Sequence, residues 1–253
     1  VVCLTQVFRQ ALESKIITNA HKIVNGEMPD LTNDGKDFFH MERPNPYLSA
    51  QTVVSLCSER LPKAYGWDAF SDIQIICPSK KGETGTQNLN RLLQAALNPP
   101  DKNKGEIIIA GQVFRTGDKV MQVKNNYNIE WESKDDKGRG IFNGDIGTVI
   151  SIDANEGAME ILFDDRHVAY DLSMLEDIEH AYAITVHKSQ GSEYPIVIIP
   201  LYHAPYMLLT RHLFYTAVTR AQNMVILVGR EDVARTMVEN HRQSMRYTGL
   251  SHR

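Results

Sequence analysis

An α/β domain interrupted by a small antiparallel β-barrel is the fold class that the sequence predicts, and three observations predict it. Apolar runs rich in β-branched residues, DIQIICP at 72–78, YPIVIIP at 194–200 and MVILVG at 224–229, read as buried strands. Segments with apolar residues at helical spacing accompany them, and strand, loop and helix in succession imply an α/β layer. Between about Phe114 and Leu175 the helical period vanishes and short strands separated by turns replace it.

The elements follow in order. From Gln10 to about Val24, Ala11, Ile16, Ile17, Ala20, Ile23 and Val24 recur at helical spacing, and Gly26 is placed to end that helix. DFFHM at 37–41 suits a short strand. Pro46 opens a second helical stretch that runs through Val53, Val54, Leu56 and Leu61. After the strand at 72–78 comes the loop SKKGETG, then a helix from about Thr86 to Leu97 that Asn98-Pro99-Pro100 stops. GDKVMQV, FNGDIGTVISI, AMEILFD and HVAYDL are the barrel strands, with turns at Asn143-Gly144, Glu156-Gly157 and Asp164-Asp165. WESKDDKGRG, polar and glycine-bearing, is expected to be a mobile loop. The α/β pattern returns after Ile178, with a helix or turn at TVHKSQG, a strand, a helix from Thr210 to Arg220, a strand, and a last helix from Glu231.

Composition narrows the class. The chain has 253 residues, 42% of them hydrophobic and 23% charged, which is enough apolar material for one large core or two smaller ones. No apolar run approaches the roughly 20 residues of a membrane span, and the opening VVCLTQVFRQ lacks the marks of a signal peptide, so a cytoplasmic setting is expected. That opening also reads as a chain entered midway. Cys3, Cys57 and Cys77 are odd in number and set among apolar neighbours, which suits reduced core thiols. A net charge of -4 argues against coating nucleic acid by bulk electrostatics, and leaves room for a local track.

Three short segments carry chemistry. TVHKSQGSEYPIVII at 185–199 gathers hydroxyl, imidazole, ammonium and carboxamide groups just before a buried strand, an arrangement that suits phosphate or ribose binding and equally a solvated loop capped by Gly191. LFYTAVTRAQNMVILVG at 213–229 sets Thr216, Thr219 and Arg220 at the end of an apolar helix, where an arginine also complements the helix dipole. LTQVFRQALES at 4–14 puts Arg9 and Gln10 at a helix start, where a cation is disfavoured unless an anion faces it. No histidine falls in H-E-x-x-H or beside a cysteine partner, so no metal site is expected.

Together the segments resemble superfamily 1 DNA helicases of the RecD-like kind: FRQ followed by a serine is similar to that family's fourth motif, TVHKSQGSE to its fifth and YTAVTRA to its sixth, with GDKVMQ and FNGDIG as a further agreement. The resemblance runs over essentially the whole chain. It implies a RecA-like motor domain of the P-loop NTPase type, with a parallel sheet, at residues 1–115 and 178–253, and an SH3-like barrel inserted at 116–177. It implies arginine fingers at Arg9 and Arg220, nucleotide contacts from Gln10, Gly191 and Glu193, and single-stranded DNA contacts from Thr185, His187, Lys188 and Ser189. Lys80 and Tyr127 are further DNA candidates, against a solvated lysine and a tyrosine covering the barrel core. ATP and Mg2+ are the implied cofactors, held mainly by an N-terminal motor lobe of the same polypeptide, because no G-x-x-x-x-G-K-[ST] occurs here and Asp164-Asp165 reads as a hairpin turn. Single-stranded DNA, that lobe and nuclease or helicase subunits are the implied partners, the direction is 5′ to 3′, and the fragment alone is expected to be inactive. The helicase portion of a conjugative relaxase or transfer protein, and a non-enzymatic protein-binding module, are the competing readings.

Overall fold

The computed structural model describes residues 14–202 and 204–241. Helix α1 (Lys15–Asn25) begins where the Ser14 side chain accepts from the Ile17 N–H, buries Ile16, Ala20 and Ile23, and ends at Gly26. That glycine has φ +84, a left-handed turn that costs a Cβ-bearing residue strain, and its N–H returns to the Ile23 carbonyl at 3.0 Å. Strand β1 (Phe38–Glu42) follows, then α2 (Pro46–Ser55), which Asn45 caps and Pro46 opens. One wide turn, Leu56–Arg60, joins α2 to α3 (Leu61–Tyr65). Next come β2 (Ile73–Cys77) and α4 (Thr86–Leu97).

Ten strands then follow: β3 (Glu106–Ile109), β4 (Gln112–Arg115), β5 (Lys119–Gln122), β6 (Asn126–Glu132), β7 (Lys137–Ile141), β8 (Ile146–Asp153), β9 (Ala158–Phe163), β10 (Arg166–Tyr170), β11 (Ile178–His180) and β12 (Ala183–Thr185). The chain closes its described part with β13 (Tyr194–Leu201), α5 (Arg211–Val218), β14 (Ala221–Gly229) and α6 (Glu231–Glu239).

Five strands form a parallel sheet in the order β1-β14-β13-β2-β12. Successive side chains of a strand face opposite ways, and both faces of this sheet are covered. Val197, Ile199, Val225 and Leu227 pack with α1, α5 and α6, whereas Ile196, Ile198, Ile226 and Val228 pack with α2, α3 and α4. This is why the strands read as unbroken apolar runs. Cys57 and Cys77 are free thiols in the second of these cores, and burial pushes the Cys57 thiol up to about 12. Cys3 lies outside the described residues.

The second sheet is antiparallel, in the order β11-β5-β8-β9-β10-β6-β7. Val120, Ile129, Ile141, Val149, Ile161, Val168 and Ile178 give each of its seven strands a place in one core, so the sheet curls around it. Its strands run from 119 to 180, and the separate β3–β4 hairpin adds Ile107, Ile109 and Phe114 to the same core.

Three expectations change. The first helix begins at Lys15 and not at Gln10, because Ser14 has extended backbone and caps it, and residues 1–13 lie outside the described residues. WESKDDKGRG is not a loop: Trp131 and Glu132 end β6, Lys137–Gly140 lie in β7, and only the residues between them turn. Its polar residues are held by pairs across the strands, Glu132 with Lys137 at 2.7 Å and Arg139 with the preceding Glu130 at 2.6 Å, and the Trp131 ring lies over Gly138. The hairpin at 106–115 was not anticipated, because its strands of four residues are too short to show a period.

The two sheets are joined at Asp118, whose side chain is fully buried. It accepts from Gln94 Nε2 (2.6 Å), Asn98 Nδ2 (2.7 Å), the Arg115 N–H (2.8 Å) and the Tyr182 hydroxyl (2.9 Å), with His180 Nε2 at 3.1 Å. Burial pushes this carboxyl up, but the bonds from His180, Asn98 and Tyr182 outweigh it and hold it below the usual carboxylate range. One ionised carboxylate thus fastens α4, the hairpin and β11–β12 together. Among the described residues no helix is long and apolar enough to cross a membrane.

Candidate nucleotide and nucleic-acid edges

The segment 185–193 connects opposite ends of the parallel sheet. Thr185 ends β12 in register with Cys77, the last residue of β2, while β13 enters with Ile196 opposite Ile73, the first. The chain between them therefore returns along the sheet, and its two ends serve two edges.

At the edge where β13 and β14 begin, Tyr194 is paired with Ala221, which brings Glu193 and Arg220 side by side. The Tyr194 N–H donates to the Arg220 carbonyl at 2.8 Å. The Arg220 guanidinium donates from Nη1 to the Ser192 carbonyl (3.1 Å), from Nε to the Thr216 carbonyl (3.2 Å) and from Nη2 to Thr219 Oγ1 (3.4 Å). All three acceptors are neutral, and among the described residues no carboxylate forms an ion pair with it. Glu193 is exposed and accepts from Gln222 Nε2 at 3.3 Å. Gly191 has φ +88 with open space where a Cβ would stand, so the backbone there is bare. Barrel residues Gly144, Asp145 and Arg166 come up to Ser192 and Tyr194 across a cleft of about 250 Å3. Arg9 and Gln10, assigned to this edge by resemblance, lie outside the described residues.

At the other edge, beyond the ends of β2 and β12, Thr185, Lys188, Lys80 and Thr86 line one narrow cleft. Tight turns build it: the N–H groups of Lys188 and Ser189 both donate to the Thr185 carbonyl, at 2.9 and 3.2 Å, and the Gln87 N–H donates to the Lys80 carbonyl at 3.1 Å. His187 is exposed beside them. Ser189 is not presented: it is fully buried, and its hydroxyl donates to the Val186 carbonyl at 2.8 Å. Lys188 Nζ lies 2.7 Å from Glu179 Oε2, and Lys80 Nζ lies 3.4 Å from Glu179 Oε1. Glu179 carries no motif signal, and sequence reasoning missed it. Lys80, Thr86, Glu179 and His180 also form one end of a groove of about 710 Å3 that continues between α4 and the β3–β4 hairpin.

Tyr127 stands apart, on the barrel. It is 66% exposed and meets the edge of the Phe142 ring at 5.6 Å, so it does not cover the barrel core. Asn125 fixes the pair, donating from Nδ2 to the Tyr127 hydroxyl at 3.1 Å and accepting from the Asn143 N–H at 2.9 Å. No group of three or more histidine, cysteine, aspartate or glutamate side chains suited to a metal is present among the described residues.

Residues 89–163 match the family described as an ATP-dependent RecD-like DNA helicase SH3 domain, and 180–228 match the UvrD-like helicase C-terminal domain. The chain is 35% identical over 227 residues to the ATP-dependent RecD2 DNA helicase of Deinococcus radiodurans, covering 89% of this chain and 28% of that protein. It is 33% identical over 180 residues to the RecBCD enzyme subunit RecD of Mycolicibacterium smegmatis, covering 71% of this chain and 29% of that one. The chain thus spans less than a third of the length of either relative. In fold it is similar to a solved Pif1 helicase from a study of unwinding at forked DNA, with a TM-score of 0.50 at 17% identity, over 91% of this chain and 50% of that one.

Proposed function

Because the chain belongs with the RecD-like DNA helicases, we propose that it is the C-terminal motor lobe of an ATP-dependent 5′-to-3′ helicase, completed by an N-terminal lobe outside it. The parallel-sheet parts, within 1–115 and 178–253, are the motor, and 116–177 is the inserted barrel, with the β3–β4 hairpin and β11 as straps between them. The observation that carries the reading is Arg220: a guanidinium held by three neutral oxygens, beside Glu193 and the bare backbone of Gly191. An always-charged planar fork with no acidic partner among the described residues suits the γ-phosphate of a nucleotide bound across a cleft, where it offsets charge that builds during phosphoryl transfer. Glu193 would accept from the ribose, Gly191 would allow close backbone approach, and Arg9 and Gln10 would join them.

At the opposite edge Thr185, His187, Lys188 and Lys80 would meet the backbone of single-stranded DNA, and Tyr127 would stack on a base. For Ser189 the inward hydroxyl favours a role in shaping the turn. ATP and Mg2+ would be held mainly by the other lobe, which supplies the phosphate cradle that this sequence lacks, so this chain alone would be inactive. The setting would be cytoplasmic, and nuclease or helicase subunits are candidate partners, since several relatives are named as RecD subunits of RecBCD enzymes.

DNA-stimulated phosphate release tests this. A longer polypeptide that includes the upstream lobe should hydrolyse ATP when single-stranded DNA is added, and the 253-residue chain should not. Turnover by the short chain would sink the half-site reading, and its absence from the longer one would sink the helicase reading.

A further inference from the structure

The Lys80–Lys188 cleft already contains an anion. Its two ammonium groups converge on the two oxygens of one carboxylate, Glu179, at 3.4 and 2.7 Å. Thr86 and Thr185 line the same cleft, whose free volume of about 10 Å3 holds no more than a single water. Two cations, hydroxyl-bearing neighbours and a charged oxygen pair in the middle are what a phosphodiester group would find, except that the oxygens belong to the protein.

We propose that the Glu179 carboxylate is a resident anion in a phosphodiester site formed by Lys80 and Lys188, and that a phosphate of single-stranded DNA binds there by displacing it. This rests on the reading of that edge as the DNA edge. Glu179 belongs to β11, whose backbone is registered on β5 of the antiparallel sheet, with Glu179 opposite Met121. The lysines belong to loops of the parallel sheet. The barrel thus lends the motor an anion that keeps both lysines pointed at one spot before DNA arrives. The exchange is sterically open, since the side chains of Lys80 and Glu179 are 52% and 43% exposed and can swing into solvent, while Lys188, at 19%, stays as the fixed point. Electrostatically the trio carries one net positive charge with Glu179 ionised. Burial pushes that carboxyl up, but Lys188 and Lys80 outweigh it and hold it below the usual range, so it is charged at neutral pH. DNA must therefore work against a like charge, and Glu179 lowers affinity while it orders the lysines.

Fluorescence anisotropy of a labelled oligothymidylate with the 253-residue chain, from 50 to 200 mM salt, tests the proposal. Glu179→Gln should bind about tenfold tighter at low salt, with a salt slope steeper by roughly 0.7, because the site then offers the same phosphate one more unit of positive charge. Adding Lys188→Ala should abolish the gain. Glu179→Asp, a shorter carboxylate that cannot span both lysines, should fall between wild type and Glu179→Gln, and serves if the glutamine variant fails to fold by thermal melting. Equal or weaker binding by a folded Glu179→Gln chain overturns the proposal. If Lys80→Ala and Lys188→Ala weaken binding while Glu179→Gln brings no gain, the resident-anion idea alone fails. If those alanine variants bind as wild type, or no variant binds at all, the DNA-edge reading fails and this inference falls with it.

Discussion

Arg220 donates through Nη1 to the backbone carbonyl of Ser192 at 3.1 Å, although the two residues are 28 positions apart in the chain. The bond ties the end of α5 to the start of β13, and among the described residues the guanidinium has no ion pair with a carboxylate. A helix-end cation and an arginine finger would share this position, and they differ in what the charge is for.

In the longer enzyme, Arg220→Ala should lower ATP turnover by roughly 10³ while leaving ATP affinity within about tenfold, because much of the benefit arises only as charge develops in the transition state. Arg220→Lys should rescue poorly, since one ammonium cannot reproduce the fork that now reaches Ser192 and Thr219 together. Were Arg220 only a helix-end cation, the loss would be about 0.3–1 kcal/mol of stability with turnover near normal. Steady-state kinetics beside thermal melting separates these outcomes.

Asp118→Asn should destabilise the fold by about 3 kcal/mol, measured by denaturant titration. An amide turns one acceptor oxygen into a donor, facing the Arg115 N–H and the Gln94 amide, both now donating to Oδ2. The native carboxyl titrates below its unfolded value, so its stabilising contribution is complete above the ordinary carboxylate range and is lost as pH falls through the lower folded value. The wild-type chain should therefore show a steeper acid loss of stability than the variant. Parallel acid curves would refute this account of the joint.

Lys119 gives a slope of the same sign at the alkaline end. Its side chain is 5% exposed, burial lowers its pKa to about 8, and Nζ donates to the Ile73 carbonyl at 3.3 Å. Between about 8 and the ordinary lysine value, the unfolded chain holds a proton that the folded chain has released, so this residue makes stability rise with pH across that window. Lys119→Met should remove the rise and add about 2 kcal/mol at pH 7, the cost of burying a charge less the lost hydrogen bond. Melting temperatures of both chains from pH 7 to 10 check it, and curves of equal slope would count against it.

Much of the fold was legible because its signals are local. IQIIC, YPIVIIPL and the apolar part of β14 are buried on both faces and read as unbroken apolar runs, while Pro46 and Gly26 mark the start of one helix and the end of another through their own backbone preferences. The β6–β7 hairpin was misjudged for the complementary reason. Its strands carry Glu130, Glu132, Lys137 and Arg139, whose charges suggest solvent and loop until they are seen to pair across the ladder.

By itself the sequence determined the alternation of strand and helix, the antiparallel insert and the helicase-like wording around Thr185 and Arg220, since each depends on residue types within a few positions of one another. Only the tertiary structure decided the strand order β1-β14-β13-β2-β12, which sets Glu193 beside Arg220 and carries the chain between the two edges. It alone placed Glu179 between Lys80 and Lys188, and gathered Gln94, Asn98, His180 and Tyr182 around Asp118. These partners lie between 9 and 99 positions apart for Glu179. Local periodicity has no bearing on pairs at such separation, because what brings them together is the packing of two sheets against shared helices.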